Sequence, residues 1–173
     1  MAQDTLAPWA ERVPDAPPMM TAAQLAAMPD DARGYELVDG RLVKMPPAGG
    51  WHGSSSGRLT IALGAYVDEH DLGVVLAAET GFLVSQPGAP DTVLAPDVAF
   101  VRAERVPTPG SPEYEGFWPL APDLVIEVAS PSQSAPELAA KARRWLDAGV
   151  RLVWIVWPKA RRVDVWLPGG DAP

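Results

Sequence analysis

Leu124-Val125-Ile126-Glu127-Val128-Ala129 and Leu152-Val153-Trp154-Ile155-Val156-Trp157 decide the reading of this chain. Each run is short and apolar at both odd and even positions, the pattern of a central strand covered on both faces. Residues 136–148 lie between them, with Leu138, Ala142, Trp145 and Leu146 at helical spacing and Gly149 as a stop signal. Strand, helix and strand in that order predict a right-handed crossover and a parallel pair.

Upstream, Tyr35–Val38 and Arg41–Met45 flank Asp39-Gly40, a pair suited to the positive φ angles of a tight hairpin turn. Thr21 and Gln24 have capping-box spacing and open a short helix ending near Met28. Ser54 to Ser56 precede Leu59, Ala62, Leu63, Tyr66 and Val67, an amphipathic helical series. Further strands are predicted at Val74–Ala78, Phe82–Ser85, Val98–Val101 and Val163–Leu167, and residues 103–122, rich in proline and glycine, as a long loop. The fold class is α+β: a mixed β-sheet with N-terminal hairpins and a closing βαβ unit, flanked by helices. Residues 1–18 read as a mobile proline-rich arm, 19–168 as a single domain and 169–173 as a tail.

At 173 residues the chain has room for one domain. It has no cysteine, which excludes disulfides, thiolate metal sites and a cysteine nucleophile, and agrees with a cytoplasmic location. Two histidines, His52 and His70, cannot build a histidine cage. A metal here is held mainly by oxygen, which favours magnesium, manganese or calcium. No apolar run is long enough to span a bilayer, and the first residues lack the features of a signal peptide. The net charge of −8 disfavours a protein that coats nucleic acid. The charge is uneven, however: residues 1–71 hold ten acids and five bases, whereas 141–173 hold seven bases and three acids.

Glu127 is the anomaly. An unpaired carboxylate inside so apolar a strand costs several kcal/mol, so it needs a cation, a donor or a raised pKa. Asp97 heads another apolar strand, Pro96-Asp97-Val98-Ala99-Phe100-Val101. If the two strands are neighbours, both acids can serve one magnesium or manganese ion, completed by water and a backbone carbonyl, that of Val128. The bland alternative has Asp97 capping a turn and Glu127 paired with an arginine. Lys141 borders the buried stripe of its helix and can reach back toward Glu127, while Glu137 has the spacing to hold it. Arg143 and Arg144 point outward, toward solvent or a phosphate.

Tyr35-Glu36-Leu37-Val38-Asp39-Gly40, Pro96-Asp97-Val98, Pro122-Asp123-Leu124 through Ser130-Pro131-Ser132, Lys141, Gly149-Val150 and Trp154 together resemble the Uma-type restriction endonuclease family of the PD-(D/E)XK nuclease superfamily. The resemblance runs from about Thr21 to Leu167. It implies a restriction-endonuclease-like core with Asp97 and Glu127 as metal ligands. The superfamily's lysine two residues after the second acid is absent, because Ala129 stands there; Lys141 takes its place. Glu36 matches the family's early glutamate, which completes the metal site or positions water. His52 resembles a histidine ahead of the family's second helix and reads as structural. Trp145 replaces a usual tyrosine, and Leu152, Val153 and Trp157 also depart from the pattern; all four are expected off the metal site.

The resulting expectation is a magnesium- or manganese-dependent endonuclease cutting DNA, with Asp97, Glu127, Lys141 and Glu36 as its working residues. A homodimer suits it, because two strands of a duplex need two sites. One rival is a metal- or nucleic-acid-binding domain that does not cut, favoured by the acidic total. Another is an interaction domain whose tryptophans form a dimer surface. Trp154 and Trp157 have opposite strand parity, and a covering helix accounts for the one turned from the core.

Overall fold

The computed structural model describes residues 11–12, 19–29, 34–45, 47–131 and 133–170. Among the described residues, ten strands form two five-stranded sheets. The first runs in the order β1 (Glu11–Arg12), β3 (Arg41–Lys44), β2 (Tyr35–Val38), β6 (Val93–Leu94), β5 (Phe82–Leu83), antiparallel throughout. The second runs β10 (Arg162–Trp166), β9 (Leu152–Trp157), β8 (Leu124–Val128), β7 (Val98–Arg102), β4 (Gly73–Ala77). Among the described strands only β8 and β9 pair in parallel, joined through helix α4 (Ala135–Asp147), so the mixed sheet and its βαβ unit stand as expected. The hairpin β2–β3 is present, with Asp39 and Gly40 at φ 50° and 74°, but it belongs to the other sheet. Of the expected arm, the described residues Glu11 and Arg12 pair with Lys44 and Val43, and the remainder lies outside the described residues.

The principal core fills the space between the sheets. Val38, Val43, Phe82 and Leu94 from the first meet Ala99, Val101, Val125, Val153 and Ile155 from the second, with Leu138, Ala142 and Trp145 of α4 among them. The opposite face of the second sheet (Val98, Leu124, Ile126, Val128) packs against Leu59 and Leu63 of helix α2 (Gly50–Glu69), and Trp154 lies in this cluster. Helix α2 therefore starts earlier than its apolar series suggests. Ser56 and Thr60 sit inside it, their hydroxyls donating to the carbonyls of His52 and Ser56. Tyr66, counted in the apolar stripe, is exposed.

Helix α1 (Ala22–Ala26) has the expected Thr21–Gln24 capping box. Residues 103–122 are tied down: they hold a 3-10 turn (Ala103–Arg105) and helix α3 (Pro112–Glu115), and Trp118 is buried against Phe82. Helix α4 starts at a capping box between Ser134 and Glu137. It stops at Gly149 (φ 100°), whose conformation lets the Val150 N–H return to the Trp145 carbonyl and leads straight into β9. Both ends of α4 are thus fixed, and so is the rotation that aims Lys141 and Trp145.

Candidate active site

Four side chains from three elements meet at the inner end of β8. Glu127 points from β8 into the space between the sheets, Glu36 comes from β2 and Lys141 and Trp145 come from α4. Lys141 Nζ lies 3.1 Å from Glu127 Oε1 and 3.2 Å from Glu36 Oε1. The Trp145 indole N–H donates to Glu127 Oε1 at 2.8 Å, and the Ala95 N–H donates to Glu36 Oε1 at 3.0 Å. Lys141 and Glu36 are each only 1% exposed.

Asp97 stands beside this group, one residue ahead of β7. Extending the β7–β8 register by one step sets it opposite Glu127. Asp97 Oδ2 accepts the Val128 N–H at 2.7 Å and meets His52 Nε2 at 3.0 Å. The Asp97 and His52 side chains are 15% and 14% exposed, so they form the wetter side of the cluster.

Burial pushes the Glu127 carboxyl up to about 7; Lys141 and the Trp145 hydrogen bond oppose the rise, and the charges of Asp97 and Glu36 add to it. Burial disfavours the Lys141 ammonium, but Glu127, Glu36 and Asp97 outweigh it and hold the amine charged well above its usual range. Hydrogen bonding to Asp97 raises His52 against the effect of burial. Five titratable groups therefore share one field, in which three are acids.

The structure brings Glu36, Glu127 and Lys141 into direct contact and places Asp97 next to them. It corrects three expectations. Trp145 is a direct partner of Glu127 and does not lie off the site. Glu137 does not hold Lys141; its carboxylate accepts from the Ser134 N–H and hydroxyl at the helix start. Arg144 is clamped by two 2.8 Å bonds to Asp39, and Arg143 lies over the Trp166 ring. His52, read as structural, touches a candidate acid. The signal for Trp145 is available in sequence: a buried indole N–H seeks an acceptor, and Glu127 is the buried acceptor in the neighbouring strand.

No group of three or more His, Asp and Glu side chains among the described residues is arranged to hold a metal ion. Lys141 occupies the space between Glu127 and Glu36. The donor chemistry nonetheless fits a hard divalent cation, being oxygen-rich with an excess of acids. Glu36 Oε2 is buried without a hydrogen-bond partner among the described residues, an orphan that a cation or its water would satisfy.

A solved structure described as a "putative nuclease belonging to DUF820 from Anabaena variabilis ATCC 29413" superposes with a TM-score of 0.72 over 87% of this chain and 81% of that one, at 20% identity. The two share a fold. No curated protein matches the sequence. The Uma2 family model, described as "Putative restriction endonuclease", matches residues 22–172, nearly the whole of the described structure. The chain belongs to the Uma2 family.

Proposed function

We propose that the protein is a magnesium- or manganese-dependent endonuclease that hydrolyses DNA phosphodiester bonds. The observation that carries this reading is Glu127: a buried acid with a raised pKa, held by Lys141 and set beside the part-exposed Asp97. Asp97, Glu127 and the Val128 carbonyl would hold the ion, with Glu36 Oε2 free to accept from a water. When bound, such an ion polarises the phosphate and makes its water more acidic. Lys141 keeps Glu127 and Glu36 in place and balances their charge. Asp97 orients the His52 ring, which lies on the wetter side where a proton can be taken up or returned.

The test is plasmid nicking at low salt with magnesium, manganese or chelator, beside thermal unfolding under the same conditions. Wild type should nick only with metal and melt higher in its presence. Asp97→Ala and Glu127→Ala should lose both effects, and cutting retained by either variant overturns the assignment. The second reading, a metal- or nucleic-acid-binding domain that does not cut, is favoured by Lys141 already neutralising Glu127. Metal stabilisation without nicking by wild type selects it.

A further inference from the structure

A groove of about 490 Å³ lies beside the start of α2, lined by Trp51 and by Pro158, Lys159 and Arg161 of the β9–β10 turn. Trp51 is 61% exposed, which is unusual for the side chain with most apolar surface to hide. Its ring accounts for nothing in either core cluster on the second sheet. Among the described residues, the groove lining pairs one aromatic face with two cations and includes no carboxylate. In a chain of net charge −8 that is a local reversal of sign. Trp51 also directly precedes His52, whose ring meets Asp97 at 3.0 Å. Successive helical residues point ~100° apart, so the groove lies around the corner from the acids.

We propose that this groove holds a single nucleic-acid strand next to the scissile phosphate, with a base stacked on Trp51 and backbone phosphates against Lys159 and Arg161. The proposal rests on the nuclease reading and adds where the substrate lies. Aromatic stacking between cations is the chemistry by which single strands are held without regard to sequence. It accommodates a base free to leave its stack, so a single strand, or a frayed end, is preferred to an intact duplex.

The experiment is fluorescence anisotropy of a labelled oligothymidine and of a duplex of equal length, in chelator so that nothing is cut, using the full chain. Trp51→Ala should weaken binding of the single strand about 5- to 150-fold, and Trp51→Phe should recover much of it. Lys159→Ala and Arg161→Ala should each lower the slope of log affinity against log salt by about 0.7. All four residues border solvent, and unchanged circular dichroism confirms that the variants fold. Wild-type affinity and slope in Trp51→Ala and in the Lys159→Ala/Arg161→Ala double variant overturn the groove while leaving the nuclease reading to its own nicking assay. A larger effect on duplex than on single strand also overturns it. Wild type that neither binds DNA nor nicks it removes both.

Discussion

Lys141 of α4 and Glu127 of β8 form a buried ion pair at 3.1 Å, and the same ammonium reaches Glu36 in the other sheet at 3.2 Å. One cation thus serves two carboxylates from different sheets. Removing charges from water is costly, and such a triad persists only where geometry and added hydrogen bonds compensate. The Trp145 and Ala95 donors supply those bonds.

Lys141→Met should therefore destabilise the protein by about 3–5 kcal/mol, because two buried carboxylates lose their partner. Urea unfolding at neutral pH measures it. Adding Glu127→Gln to Lys141→Met should restore part of the loss. Strict additivity of the two substitutions would show that the pair is not coupled.

Stability without metal should fall as pH rises from about 4.5 to above 7. The unfolded chain releases the Glu127 proton near the ordinary value of 4.5, whereas the folded protein keeps it to about 7. The folded state then binds more protons over that interval, and each pH step favours unfolding. His52 acts in the same sense: its raised pKa adds stability fully below 6.5 and loses it as pH climbs through the folded value. Melting temperatures in chelator across this range should decline, and Glu127→Gln should flatten the slope.

Trp145→Phe keeps a ring facing Phe82, which the indole meets edge-on with centroids 6.4 Å apart, but deletes the donor to Glu127. Hydrogen bonds to charged groups contribute about 1.5–3 kcal/mol, and a loss of that size is expected in denaturant titration. Since this bond lowers the Glu127 pKa, the variant's pH-dependent decline should extend to higher pH than in wild type.

Asp97→Asn retains an oxygen for the Val128 N–H but removes the negative charge facing His52. The His52 titration, followed by proton NMR in a chain with only one other histidine, should move down toward its ordinary value of 6.5. A titration matching wild type would mean that Asp97 does not control the ring.

The βαβ unit is legible in sequence because β8 and β9 are apolar on both faces and α4 carries capping and stop signals at its ends. Glu127 is legible for the same reason: a lone carboxylate in such a strand is conspicuous. Glu36 is less so, since β2 is buried on both faces, Leu37 against helix α1 and Val38 against the second sheet, a tertiary effect that strand alternation does not encode. Strands β1 and β6 have two residues each, too few for any periodicity. The beginning of α2 is hidden because Gly49-Gly50-Trp51-His52-Gly53 contains glycines that disfavour helix, which is why His52 reads as a residue outside it. Trp145 fits the apolar stripe so well that spacing alone marks it only as core; its task of donating to Glu127 is legible from the indole's need for a buried acceptor.

The clamp between Arg144 and Asp39 has a bearing on biosynthesis. Asp39 closes the hairpin that carries Glu36, and Arg144 sits between Lys141 and Trp145 along α4. A nascent chain that has emerged only as far as Ser134 owns every acid of the cluster but none of the helix that gathers them. The constellation thus assembles only once α4 has emerged and docked against that hairpin.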